Sequence, residues 1–234
     1  MLDVLYEDNH CLAVNKPAGL LTQGDSTGEP TLIDAARAYL KVKYAKPGNV
    51  YVGLVHRLDR PTSGVVLLAR TSKGASRLSE QFRKGTVEKV YWAIVEGRCP
   101  SESGEWHDSL RKDEARNVVE VVRPGTPGSH DAALAFRVLE RGPDASWLEV
   151  RPVTGRSHQI RVQLASRGLP ILGDRKYGAR SVVNALDGHP RVALHARQLT
   201  FSHPTGRGAI SVTAEVPADW PWRARRATAG SPPD

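Results

Sequence analysis

From residue 89 to residue 150 the chain alternates short apolar runs with turn-rich stretches, and few folds accept that pattern. The runs are 89–96, 118–122, 132–139 and 147–150; the stretches between them, 98–104, 123–129 and 141–146, are dominated by Gly, Pro, Ser and charged residues. Runs bounded in this way read as a meander of mainly antiparallel strands. Within 89–96 the alternation is explicit, with Tyr91, Ala93 and Val95 on one face and Val90, Trp92 and Ile94 on the other. Tyr91 therefore points toward a defined face.

The flanking segments add helices. Val4, Leu5, Leu12, Ala13 and Val14 form an apolar pattern interrupted at Glu7-Asp8-Asn9, which reads as two strands around a tight turn, closed by Asn15-Lys16-Pro17. Thr31 opens a helix with Asp34 at the reciprocal capping position and Ile33, Ala36, Tyr39 and Leu40 as its stripe. Residues 53–55 and 65–69 are short strands, and 72–84 is a helix placing Ala75, Leu78 and Phe82 on one side. Ser157 is expected to cap a further helix that carries Ile160, Leu164 and Ala165 inward and ends near Gly168, with Arg156 at its N-terminus and Arg161 one turn inside. Final strands fall at 193–201 and 209–216. The expectation is one α+β domain over 1–222, a mixed and mainly antiparallel sheet with flanking helices. A basic and then Pro/Gly/Ser-rich tail, 223–234, is expected to stay disordered.

Charge narrows the partners. With 33 Lys and Arg against 25 Asp and Glu the formal charge is +8, a balance suited to a polyanion, and nucleic acid leads ahead of an anionic membrane. The start, MLDVLYEDNH, lacks the basic and apolar regions of a signal peptide, and no apolar stretch approaches the roughly 18 residues of a membrane span. A cytoplasmic protein is expected, with no membrane partner. Cys11 and Cys99 are the only cysteines, which supports neither a disulfide framework nor a zinc cluster.

HRLDRPTSG (56–64) places Asp59 between Arg57 and Arg60 ahead of a Thr-Ser-Gly turn, in a connection between two strands where functional side chains are often carried. The segment is no kinase catalytic loop, since no glycine-rich phosphate loop precedes it and no DFG follows. No stretch fits the phosphate-cradling G-x-x-x-x-G-K-[ST] pattern, and no histidines have the H-E-x-x-H spacing of a metal site. Ser157 beside His158 makes a poor nucleophile and base, because adjacent helical residues do not face one another.

Four stretches remain as a set: EDNHCLAVNKPAGL (7–20), HRLDRPTSG (56–64), EKVYWAIVEG (88–97) and TGRSHQIRVQLA (154–165). Together they resemble the RluA family of RNA pseudouridine synthases, and GDRKYG (173–178) and LHARQLTFSHPTG (194–206) fit the same family in order and spacing. The resemblance covers about residues 1–216. It implies the pseudouridine synthase fold with a central RNA-binding cleft, and a reaction that moves a uridine's sugar from nitrogen 1 to carbon 5 of the base without cofactor or metal. By the same resemblance Asp59 is the catalytic aspartate, Arg161 the basic residue that pairs with it, and Tyr91 the tyrosine that packs on the base and takes the carbon-5 proton.

The resemblance further implies that Arg57 enters the helix where the target nucleotide leaves, a role that suits a planar guanidinium when a base is extracted from its stack. Arg156 is expected to meet a phosphate through free N–H groups at a helix start, and Arg60 and Lys16 complete the expected RNA-binding set. Many members of the family carry an N-terminal S4 module; here the first motif begins at about residue 4, so the catalytic domain is expected to act alone, as a monomer, on a transfer-RNA or ribosomal-RNA stem-loop. The alternative is a non-catalytic RNA-binding protein that retains the synthase fold.

Overall fold

The computed structural model describes residues 2–25, 27–184, 188 and 190–222. The tail at 223–234 lies outside the described residues. The described residues divide into two compact units, one within residues 2–89 and 196–215, the other within residues 90–195 and 216–222.

In the first unit, β1 (Val4–Glu7) pairs with β2 (Cys11–Lys16), and β2 pairs antiparallel with β4 (Ser63–Ala69) along its whole length, from Cys11 opposite Ala69 to Lys16 opposite Gly64. The short β3 (Gly53–Leu54) also pairs with β4. All seven residues of β4 are buried, so it reads as a continuous apolar run rather than an alternation. Two helices flank these strands, α1 (Leu32–Lys43) and α2 (Ser72–Lys84). The Thr31–Asp34 capping box forms as the sequence predicts, and α2 closes on Gly85 in the left-handed conformation. Cys11, Ala13, Val65, Leu67, Leu78 and Phe201 meet in the unit's core.

The end of α1 is tied to β1 through Glu7. Its carboxylate accepts from Tyr39 Oη, Lys43 Nζ and Tyr44 Oη, and from Arg70 Nη1 at 3.0 Å. Burial pushes this carboxyl upward, but the hydrogen bonds from Lys43, Tyr44 and Tyr39 together outweigh it and hold Glu7 at about 2, against 4.5 unperturbed. A depressed carboxyl stabilises the fold fully above its unfolded pKa and loses that contribution as pH falls toward the folded one. Glu7→Gln is therefore expected to melt lower than the parent at neutral pH, with the gap closing between pH 4.5 and 2. A gap independent of pH in melting curves would contradict this.

In the second unit, β5 (Glu88–Glu96), β9 (Ala145–Pro152), β8 (Ser129–Arg141), β6 (Ser103–Asp113) and β7 (Val118–Val122) lie in that order, every pair antiparallel. The expected meander is present, with one strand the apolar pattern did not show. β6 was hidden because only Ser109 and Leu110 of its eleven residues are buried and few of the rest are apolar; its ladder to β8 holds it. After β9 come the seven-residue α3 (Gln159–Ala165) and a single 3-10 turn at Arg175–Tyr177. Ile94, Leu148, Ile160, Leu164, Ile171 and Trp220 lie in this unit's core. The last strands, β10 (Leu194–Ser202) and β11 (Ala209–Thr213), pair antiparallel. No described helix is long and apolar enough to cross a membrane.

Candidate active site

HRLDRPTSG occupies the connection from β3 to β4, and its backbone is fixed residue by residue. The Leu58 carbonyl accepts from Thr22 Oγ1 at 2.8 Å, the Asp59 carbonyl from Thr62 N at 3.0 Å, and the Arg60 carbonyl from Gly19 N at 2.8 Å and Lys16 Nζ at 3.2 Å. Three consecutive carbonyls centred on Asp59 are thus held, two of them by residues 16–22. The half-buried Asp59 side chain projects from a loop that cannot drift. His56 secures the entry to the loop: its Nε2 accepts from Leu67 N at 2.9 Å and its ring stacks on Phe82 at 4.4 Å. Burial, with a lesser push from Lys89, drags this imidazole down to about 3, so it stays neutral and able to accept.

Gly64 closes the loop where β4 begins. Its φ is +115°, and a Cβ there would lie 2.3 Å from the Ala196 carbonyl oxygen. Gly64→Ala combines left-handed strain with a backbone overlap that no side-chain rotation relieves, and is expected to cost at least about 3 kcal/mol. Denaturant titration checks this. A midpoint equal to the parent's would show that the contact is not made.

The structure corrects one of the expected RNA contacts. Lys16 is fully buried, and its ammonium donates to the carbonyls of Pro17 at 2.9 Å, Leu20 at 2.8 Å and Arg60 at 3.2 Å. Burial drags it down to about 7, while the Asp59 charge pulls the other way and Arg60 adds to the fall. Three carbonyls match the three donors of an ammonium, so Lys16 is a strut inside the loop and has no surface to offer a phosphate. Arg60 is exposed, but its Nη1 and Nη2 engage Glu29 at 2.9 and 2.6 Å and its Nε donates to the Gly19 carbonyl. Arg57 is exposed, with no hydrogen-bond or ion-pair partner among the described residues.

The other expected site residues belong to the second unit. Tyr91 is half-buried on β5, opposite Val150 and packed against the core. Arg161, 5% exposed, forms a two-pronged pair with Asp174, Nε to Oδ2 at 2.7 Å and Nη2 to Oδ1 at 2.8 Å, and its guanidinium lies 5.1 Å from the centre of the Tyr177 ring. Tyr177 Oη accepts from Val119 N at 2.9 Å and shares a hydrogen bond of 2.8 Å with His158 Nδ1. Asp174 and Tyr177 both come from GDRKYG, a stretch whose residues carried no role in the sequence. Its first residue, Gly173, has φ +82° and a backbone so close to Arg191 that a Cβ would sit 2.3 Å from the Arg191 oxygen.

The start of α3 differs from expectation. His158, not Ser157, is the N-cap, at φ +50° and without a capping side chain. Gln159 does the tying: Oε1 accepts from Thr154 Oγ1 at 2.7 Å and Arg156 N at 3.0 Å, and Nε2 donates to the Ala133 carbonyl at 3.0 Å. The Arg156 N–H is thus occupied rather than free for a phosphate, and its exposed guanidinium donates through Nε to the Asp131 carbonyl at 3.0 Å.

Asp8, Cys11 and His203 bring ligand-type atoms within 4.8 Å of one another. They are better explained as a latch between two turns. His203 Nδ1 accepts from Thr205, which leaves Nε2 to donate to Asp8 Oδ2 at 2.5 Å, while Asp8 Oδ1 accepts from the His10 and Cys11 amides at 2.7 Å. Burial, reinforced by the Asp8 charge, pushes the Cys11 thiol up to about 12.

Residues 10–166 match the family model described as RNA pseudouridylate synthase. The chain belongs to that family. It is 36% identical over 217 residues to a protein of Vibrio cholerae named ribosomal large subunit pseudouridine synthase C, covering 92% of this chain and 66% of that one. It is 37% identical over 220 residues to the protein of the same name from Escherichia coli, with the same coverage. The chain therefore spans a little under two thirds of the length of these relatives. Among solved structures, human RNA pseudouridylate synthase domain containing 4 superposes with a TM-score of 0.77 at 25% identity, over 93% of this chain and 90% of that one. The RluA-type motifs, the α+β pseudouridine synthase fold and the family assignment agree.

Proposed function

We propose that this member of the RNA pseudouridylate synthase family isomerises uridine to pseudouridine in RNA, acting as a single chain without metal or nucleotide. The observation that carries the proposal is the loop around Asp59, where three successive carbonyls are anchored so that one half-buried carboxylate is presented from a rigid support. The reaction breaks the bond between the ribose C1′ and N1, turns the base, joins C1′ to C5, releases the C5 proton and returns one proton to N1. It is redox-neutral and transfers no group from a donor, so its chemistry calls for no cofactor.

Asp59 supplies the carboxylate that attacks or deprotonates the sugar. Tyr91 takes the C5 proton. Arg161, held by Asp174, is assigned by the family resemblance the positive charge that favours an ionised carboxylate. Arg57 and Arg156 present exposed guanidinium groups to the RNA, Arg57 in the space a flipped nucleotide leaves. The names of the bacterial relatives favour large-subunit ribosomal RNA as the substrate class. Carbon-5-tritiated uridine in ribosomal RNA should release its label to water on incubation with the pure protein. Release from transfer RNA alone would move the substrate class, and no release from either, beside an active control synthase, would remove the proposal's main support.

A further inference from the structure

The first unit carries a cleft that the chemistry at Asp59 does not use. It lies where α1 faces the segment leading into β3, has a volume of about 640 Å³, and is lined by Arg37, Lys41, Gly48, Asn49, Tyr51 and Val52 among others. From residue 37 to residue 52 the sequence has four cations, Arg37, Lys41, Lys43 and Lys46, and no carboxylate. Lys43 is turned onto Glu7 at 2.7 Å and Arg37 reaches only the exposed Asp34 at 3.4 Å, while Lys41 has no ion-pair partner among the described residues. The cleft is therefore cationic, and its charge is largely unspent.

Its aromatic residue is placed deliberately. Tyr51 is 49% exposed, an unusual state for so large a ring, between the buried Val50 and Val52. The ring edge lies over Gly53, where an added Cβ would come within 2.8 Å of Tyr51 Oη and of Ala75 Cβ. A bare Cα at 53 is what lets the ring settle there. Exposed aromatic faces beside cations are the chemistry by which proteins hold single-stranded nucleic acid: stacking on the base and charge on the phosphates, with little regard for sequence.

We propose that this cleft binds a single-stranded stretch of RNA, with a base stacked on Tyr51 and flanking phosphates on Arg37 and Lys41. The proposal rests on the RNA reading above and adds a second point of substrate attachment. Tyr51 and Asp59 are eight residues apart in the chain, so the two points are separated by at most about 29 Å. One structured RNA can reach both.

The test measures the dissociation constant of a ribosomal RNA fragment for the parent, for Arg37→Ala/Lys41→Ala and for Tyr51→Ala, across a series of salt concentrations, with melting temperature as the check on folding. Losing two single-strand phosphate contacts should make the slope of log K against log salt shallower by about 1.4. Tyr51→Ala should weaken binding about tenfold with the slope unchanged, as expected for a stacking contact. Equal affinities and slopes in all three proteins would overturn the proposal. So would displacement of a labelled ligand by polyglutamate but not by RNA, which would make the cleft a site for an acidic protein. The outcome is read in binding, so it is independent of turnover: an inactive parent protein would count against the isomerase reading, and the cleft would still be decided by the three affinities.

Discussion

Asp59→Asn is expected to lower tritium release from carbon-5-labelled RNA by at least about a thousandfold while leaving RNA affinity within about tenfold of the parent. The two numbers separate because the substitution is nearly isosteric and touches only the carboxylate. The backbone around it is held through carbonyls, at Leu58 by Thr22, at Asp59 by Thr62 and at Arg60 by Gly19 and Lys16, and none of these bonds involves the side chain. The loop keeps its shape and loses its charge. An amide can neither attack the sugar as a carboxylate does nor remove its proton, whereas binding depends on cations and phosphates elsewhere. Single-turnover release and a filter-binding curve on the same preparation measure both quantities. Retained release would remove Asp59 from the chemistry, and a parallel loss of binding would make it a structural residue.

The second large effect concerns stability. Arg161 and Asp174 are 5% and 1% exposed and bonded through two parallel contacts of 2.7 and 2.8 Å. Removing the carboxylate from a buried pair takes away a two-pronged charge-assisted contact and leaves the buried guanidinium less well compensated, at a cost of up to about 3–5 kcal/mol. Asp174→Asn keeps the shape and removes only the charge, so it should lower the melting temperature by roughly 6–20 °C for a chain of this size. The double substitution Arg161→Met/Asp174→Met should recover part of that loss, because apolar side chains of similar volume in place of a buried pair need no compensating charge. Melting curves of the two variants decide it. A single variant that melts with the parent would show that the pair is not desolvated.

The parts of the molecule legible in the sequence are those where one local rule governs. The helix at 72–84 agrees with its apolar stripe to the residue, the Thr31–Asp34 capping box forms, and the strand read at 89–96 is present as β5. β6 was missed because hydrophobic alternation signals burial, and a strand held mainly by its ladder to β8 shows none. Lys16 was misplaced for the converse reason. A lysine beside a proline at the end of a strand reads as exposed, and only the fold reveals three carbonyls arranged to receive its ammonium. Asp174 was invisible because its partner Arg161 is thirteen residues away, and the bond from Gln159 to the Ala133 carbonyl was invisible because it spans twenty-six, which no spacing rule reports. The motif GDRKYG was recognisable as a set, while its physical content, a carboxylate for Arg161 and a phenol for His158, needed coordinates.

The central claim is isomerisation at a carboxylate, and the balance of nucleosides in treated RNA tests it most directly. Ribosomal RNA incubated with the pure protein, digested and separated by chromatography, should lose uridine and gain pseudouridine one for one, with no free uracil and no shortened strands, and should keep its uridine when Asp59→Asn replaces the parent. Free uracil or cleaved RNA would mean that the glycosidic or phosphodiester bond is hydrolysed and never rejoined. An unchanged uridine content on every RNA tried would mean that the chain binds RNA without acting on it.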